Sequence, residues 1–253
     1  MRFLIEAACG CHTGKIRKNN EDNLYFDGKC LERENHGLKY PVYAEDELKN
    51  GFLVSVFDGM GGEYFGEYAS FVAARQMQKG EQDLKDFFVP ASDYLQSLTE
   101  QLNDAVTKAQ QEMCTERMGT TMVLLYFTGR YVYSCNLGDS RSYRLRNGEF
   151  LQLSEDHVQK FPSRENRKAP LTRYLGMNTE EIAIEPYIAK GEIQKDDMYL
   201  ICSDGLTDML TNFEITDIML NSDNAEDCAQ GLIRAALEHG GCDNITVIVC
   251  MIK

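Results

Sequence analysis

Three acidic turns, Phe57-Asp58-Gly59-Met60-Gly61-Gly62, Ser203-Asp204-Gly205-Leu206-Thr207-Asp208 and Cys242-Asp243-Asn244, each touch a short apolar run that reads as a buried strand. A chain built this way carries several carboxylates at the ends of core strands. Where such strands are neighbours the carboxylates converge, and their mutual repulsion is tolerable mainly when a hard cation sits between them. The first reading is therefore a metal-dependent enzyme.

The 253 residues fit one large sandwich or barrel with a sizeable core, so 1–253 is read as a single domain. A formal net charge of −14, with no compensating basic stripe, argues against nucleic acid or an anionic membrane as partner. The nine cysteines form no C-x-x-C pair, and Cys135, Cys202 and Cys250 lie inside apolar runs, as small core residues do in a reducing cytoplasm. Met1-Arg2-Phe3-Leu4-Ile5-Glu6 has no signal-peptide core, and no apolar stretch approaches the ~20 residues of a spanning helix. A cytoplasmic protein is expected.

Hydrophobic periodicity predicts strands over 2–8, 23–27, 52–57, 120–127, 131–136, 142–145, 150–153, 182–188, 198–202 and 245–252. It predicts helices over 63–79, 92–117, 213–220 and 225–239, the second capped by Ser92. Asn147-Gly148 is a strong hairpin signal. Residues 28–50 read as a polar, irregular surface excursion. Strand runs interrupted by paired helices indicate an α+β fold, with two packed sheets and helices outside.

Each acidic turn has an ordinary explanation when taken alone. Asp58-Gly59 and Asp243-Asn244 have plain turn composition, and Asp204 and Asp208 suit helix capping. Glycines at 59, 61 and 62 before a helix shift the balance, because they let backbone carbonyls or N–H groups approach a ligand. Asp204 and Asp208, four apart at a helix start, can face one point.

Together with these turns, Arg17, Asn20-Glu21-Asp22, Gly119-Thr120-Thr121, Gly138-Asp139-Ser140-Arg141 and Asp243-Asn244-Ile245-Thr246 form an ordered set from Arg17 to Val249. In this the chain resembles the metal-dependent Ser/Thr protein phosphatases of type 2C, in their bacterial form. The resemblance implies an αββα sandwich of two mainly antiparallel sheets flanked by helix pairs, hydrolysing phosphoserine and phosphothreonine in proteins. It implies two Mn²⁺ or Mg²⁺ ions, bridged by Asp58, with the Gly59 carbonyl on one and Asp204 and Asp243 on the other. Glu21 and Asp22 would act through metal-bound water, and Asp139, Asp204 and Asp208 would surround a possible third ion. Arg17 would clamp the phosphoryl oxygens, its planar guanidinium matching phosphate geometry. A water activated between two cations then attacks in line, with no covalent phosphoenzyme. The substrates implied are phosphoproteins of a Ser/Thr kinase, met by a monomer.

Several positions depart from the pattern or stand apart from it. Met60 occupies the place of a histidine proposed elsewhere in the family as general acid, and it cannot donate a proton. A catalytically silent, phosphoprotein-binding relative is the alternative reading. His157 reads as structural. The flap at 158–170 is short and holds Lys160, Arg164, Arg167 and Lys168, which either meet acidic residues near a phosphosite or form a solvated loop. Cys9-Gly10-Cys11-His12 lacks the second ligand pair that a zinc site requires.

Overall fold

The computed structural model describes residues 3–60, 65–84, 90–115, 118–159, 169–179 and 183–253. Its strands are β1 (Leu4–His12), β2 (Asp22–Phe26), β3 (Lys29–Cys30), β4 (Val42–Glu47), β5 (Phe52–Met60), β6 (Gly119–Thr120), β7 (Met122–Phe127), β8 (Tyr131–Leu137), β9 (Arg141–Arg146), β10 (Glu149–Gln152), β11 (Tyr187–Glu192), β12 (Met198–Cys202) and β13 (Ile245–Ile252). Its helices are α1 (Gly66–Leu84), α2 (Ala91–Glu112), α3 (Asp204–Thr207), α4 (Asn212–Leu220) and α5 (Ala225–Glu238).

The strands form two sheets, ordered β10-β9-β12-β13-β1-β4 and β11-β8-β7-β5-β2-β3, and β6 adds to the end of β5. Neighbours within each sheet pair antiparallel. Strand alternation sorts the apolar residues into three layers. Ile5, Val54, Val56, Phe127, Ile201, Ile248 and Ile252 fill the space between the sheets. Leu53, Phe57, Leu124 and Leu137 turn outward under α1 and α2, against Met77, Leu95, Leu98 and Leu102. On the other side Ile245, Val247, Val249 and Leu200 meet Ile215, Cys228 and Leu232 of α4 and α5. β13 is buried on both faces, which explains its unbroken apolar run. The result is the αββα sandwich implied by the family resemblance.

Four local expectations are corrected. Residues 28–50 are not irregular throughout: Val42–Glu47 pairs with β1 from Cys9↔Val42 to Leu4↔Glu47. The acidic run Glu45-Asp46-Glu47 hid it, and charge on an outer strand is how sheets discourage further pairing. Ser92 does not cap α2. Pro90 holds that position at φ −53°, ψ 138°, and Ser92 Oγ donates to Asp93 Oδ1 at 3.2 Å. The late strand lies at Tyr187–Glu192 rather than 182–188, opposite Asn136 to Tyr131, and β1 runs on to His12, past the expected end at 8. The hairpin at Asn147-Gly148 forms as expected, both residues having positive φ (50° and 80°).

Candidate metal centre

The inward-facing rows of five neighbouring strands end in polar residues at the same end of the sandwich. On β2 the row Phe26, Leu24 ends at Asp22, and on β5 Val54, Val56 ends at Asp58. On β1 Cys9 leads to Cys11, on β13 Ile248 leads to Thr246, and Ser203 continues Tyr199 and Ile201 just past β12. Cross-strand register then places Asp22 opposite Asp58 and Cys11 opposite Thr246. The carboxylates are thus one end of the inter-sheet core, where alternation forces acids into a buried layer.

Asp22 is 1% exposed. Its Oδ2 accepts hydrogen bonds from Ser203 Oγ (2.8 Å) and Thr246 Oγ1 (2.6 Å). Among the described residues its buried Oδ1 has no hydrogen-bond partner. Burial pushes this carboxyl up to about 7, helped by the charges of Asp204 and Asp243 and opposed by the two hydroxyls. Asp58 is raised well above the usual carboxylate range, first by burial and then by Asp204, Asp22, Asp139 and Asp243. Its backbone is fixed by Thr121, whose Oγ1 accepts from Asp58 N–H at 3.1 Å and whose N–H donates to the Asp58 carbonyl at 2.8 Å.

Gly59 lies where no side chain fits, because a Cβ would strike the Gly66 and Glu21 carbonyls. Its N–H donates to the Glu21 carbonyl at 3.1 Å. Asn244 ties the remaining loops together. It accepts from Glu21 N–H at 2.8 Å and donates to the carbonyls of Thr13 (2.8 Å) and Asn19 (3.0 Å). Gly205 packs directly on the Asn244 carbonyl, again with no room for a Cβ. Burial raises the Glu21 carboxyl, with Arg17 opposing and Asp243 and Glu67 adding to the rise.

Arg17 is not an unattached clamp. Its Nη2 donates to Asp243 Oδ2 at 2.7 Å, and Nη1 lies 3.8 Å from Glu21 Oε2. Burial disfavours its charge, but Asp243, Glu21 and Asp58 outweigh that and raise its pKa. Asp204 and Asp208 stand one turn apart across α3, with Asp208 N–H donating to the Asp204 carbonyl at 2.8 Å; Asp204 is buried and Asp208 is exposed. Asp139 and Met60 are half-buried, and Asp139 acts on Asp58 electrostatically.

His157 is structural, as read from the sequence. Its Nδ1 accepts from Gly138 N–H at 3.2 Å, and its N–H donates to the Gly138 carbonyl at 3.0 Å. Arg141, bidentate on Asp156 through Nε (3.0 Å) and Nη2 (2.6 Å), completes this latch behind Asp139. The flap ends are joined by Gln159 N–H to the Pro170 carbonyl at 3.0 Å. Gly61, Gly62 and residues 160–168, with Lys160, Arg164, Arg167 and Lys168, lie outside the described residues. Glu67, absent from the sequence reading, is 8% exposed and accepts from Asn19 Nδ2 at 2.8 Å. Its only signal was an acid in the first turn of α1.

All the oxygen donors here are hard, and a buried unpartnered carboxylate oxygen among mutually repelling acids suits Mn²⁺ or Mg²⁺ rather than a soft metal. Among the described residues, no three His, Cys, Asp or Glu side chains lie close enough together to hold an ion.

The family profile described as protein phosphatase 2C matches residues 43–235. This chain belongs to the protein phosphatase 2C family. Asp58, Gly59, Asp139, Asp204 and Asp208 fall inside the match, while Arg17, Glu21, Asp22 and Asp243 lie outside it. Among its phosphatase relatives, the serine/threonine phosphatase Stp of Listeria innocua is 31% identical over 93% of this chain and 91% of its own length. The serine/threonine protein phosphatase PstP of Mycobacterium tuberculosis is 30% identical over 98% of this chain, which spans 45% of that longer protein. A crystal structure of the catalytic domain of PstP in complex with 2 manganese ions is similar with a TM-score of 0.77, at 28% identity and 99% coverage of each chain.

Proposed function

We propose that Asp58, the Gly59 carbonyl, Asp204 and Asp243 hold two Mn²⁺ or Mg²⁺ ions, that Glu21 and Asp22 reach them through water, and that Asp139 and Asp208 border a third. The enzyme is a metal-dependent protein-serine/threonine phosphatase, and its substrates are phosphoproteins. One observation carries the site assignment: the half-buried Asp58 feels the charges of Asp204, Asp22, Asp139 and Asp243, an array of acids that cations would stabilise. The metal pair in a relative 28% identical and alike over the whole fold supports the same reading.

When bound, the ions neutralise the phosphate dianion and bring a water toward a neutral pKa. The chain's own residues do the rest. Arg17, half-exposed and reaching over Asp243, donates paired N–H groups to the phosphoryl oxygens and fixes their orientation. Asp22 and Glu21 orient water by accepting its protons, Asp22 through the oxygen its hydroxyl partners leave open. Met60 holds no proton for the leaving oxygen, so that proton comes from solvent. The substrates are the products of a Ser/Thr kinase in a bacterial cytoplasm, met by a monomeric enzyme. Among the described residues no helix is long and apolar enough to cross a membrane, which is compatible with that setting.

Hydrolysis of a phosphothreonine peptide tests the reading. Phosphate release with Mn²⁺ that stops with chelator and returns when Mn²⁺ is restored is the expected result. Equal release with and without chelator, or none from folded protein supplied with Mn²⁺ or Mg²⁺, would refute it.

A further inference from the structure

Residues 16–18 make no backbone hydrogen bond among the described residues, so Arg17 is placed by the anchors on either side of it. Upstream, Lys15 N–H donates to the Gly241 carbonyl at 2.8 Å. Downstream, the Asn19 carbonyl accepts from Asn244 Nδ2 at 3.0 Å. Both anchors belong to the 241–244 loop, which also carries Asp243, the ion-pair partner of Arg17. Contacts of this kind let the two loops shift together. The Asn19 side chain supplies an anchor of another kind: its Nδ2 donates to Glu67 Oε2 at 2.8 Å, in the first turn of α1.

Glu67 is built to hold that bond. The helix dipole favours an acid in a first turn, but an exposed side chain obtains the same benefit. Glu67 is instead 8% exposed, and burying a carboxylate is costly unless hydrogen bonds replace its water. The helix beneath it is fixed, because Ala69, Ala73 and Met77 are fully buried in the layer that contains Leu53 and Phe57 of β5. One residue before Glu67, α1 begins against the acidic end of β5. A Cβ on Gly66 would lie 2.9 Å from Glu21 Oε1 and 3.0 Å from the Gly59 carbonyl carbon. The Asn19–Glu67 bond therefore ties the loop of Arg17 to the helix that abuts Gly59.

We propose that Glu67 is a positioning residue for the substrate phosphate: by holding Asn19 it fixes the loop that presents Arg17, relative to Asp58 and Gly59. The inference rests on the reading that Arg17 binds the phosphoryl group.

The test is competitive inhibition of phosphothreonine-peptide hydrolysis by inorganic phosphate at saturating Mn²⁺, with circular dichroism as a check on folding. A shift of about 1 Å in a substrate-holding group can cost about 100-fold, and Arg17 keeps its other anchors, so Glu67→Ala should raise Ki by about tenfold. Asn19→Ala removes the same bond from its other side and should match that rise, while the double variant should add nothing. Glu67→Gln retains an acceptor for Asn19 and should stay within about twofold of the unmodified protein. In an Arg17→Ala background Glu67→Ala should have no further effect on Ki, a result that general destabilisation would not produce. In the metal-free chain the Lys15 amide should exchange its hydrogen about tenfold faster in Glu67→Ala and at the unmodified rate in Glu67→Gln.

No rise in Ki for Glu67→Ala or for Asn19→Ala, equal rises for Glu67→Ala and Glu67→Gln, or an undiminished Glu67→Ala effect in the Arg17→Ala background would overturn the proposal. An Arg17→Ala variant with unchanged Ki would overturn the phosphate role of Arg17 and this inference with it. An unmodified chain without Mn²⁺-dependent hydrolysis would refute the proposed function, and unchanged Lys15 exchange in Glu67→Ala would refute the anchoring independently.

Discussion

The two ends of β12 carry buried carboxylates in opposite circumstances. At its start Asp197, 1% exposed, accepts from Arg146 Nε and Nη2 (2.6 Å each), Gln194 N–H (2.8 Å) and Tyr199 OH (2.9 Å). Beyond its other end Ser203 holds Asp22, equally buried, which receives hydroxyls on one oxygen, no hydrogen bond from the described residues on the other, and repulsion from neighbouring aspartates. Burial of an acid is therefore not what marks function in this fold. A carboxylate matched by a guanidinium is part of the structure, whereas an acidic array without its full positive charge is built to receive cations.

That contrast breaks most clearly under substitution. Asp58→Asn should lower Mn²⁺-dependent phosphopeptide turnover by about 10⁴-fold, about 5.5 kcal/mol of transition-state stabilisation, with an unchanged circular dichroism spectrum. A loss under about tenfold would remove Asp58 from the centre. Asp197→Ala strands the Arg146 guanidinium and should cost about 3–5 kcal/mol of stability in urea denaturation. The folded variant should still bind Mn²⁺ with unchanged affinity. Asp22→Asn should do the reverse, weakening Mn²⁺ binding while leaving the metal-free protein at least as stable as before.

The same contrast has a pH signature. Asp22 holds its proton up to about 7 in the folded chain against 3.8 when unfolded, so its support for the fold is full below about 4 and is lost as pH rises to about 7. Denaturation of chelator-treated protein across that window should show stability falling with pH, with a shallower slope in Asp22→Asn. An identical slope in that variant would assign the effect to other groups. The smallest effect belongs to the surface: breaking the exposed Arg130–Glu192 pair (3.0 Å) with Arg130→Ala should move stability by less than about 0.5 kcal/mol.

The acids were legible in the sequence because each follows or precedes an apolar strand. Asp58, Asp204 and Asp243 therefore announced both a core strand and its polar end. The residues that hold them were not. Ser203 and Thr246 stand inside the quoted motifs but carried no role there, since a hydroxyl has the same local pattern whether or not it faces a carboxylate. β4 was missed because Glu45, Asp46 and Glu47 resemble a loop, although charge is what an outer strand uses. The pairing of Arg17 with Asp243 joins residues 226 positions apart, a distance over which strand alternation is silent. The one-turn spacing of Asp204 and Asp208 was legible and is kept, Asp208 N–H donating to the Asp204 carbonyl at 2.8 Å, but the difference in their burial was not.

The most direct measurement is a calorimetric titration of Mn²⁺ into the metal-free protein and into Asp58→Asn. If the acidic end of the inter-sheet core is the metal centre, the unmodified chain binds two ions in its principal sites and Asp58→Asn loses both. Mn²⁺ binding that survives Asp58→Asn at unchanged stoichiometry and affinity would contradict it.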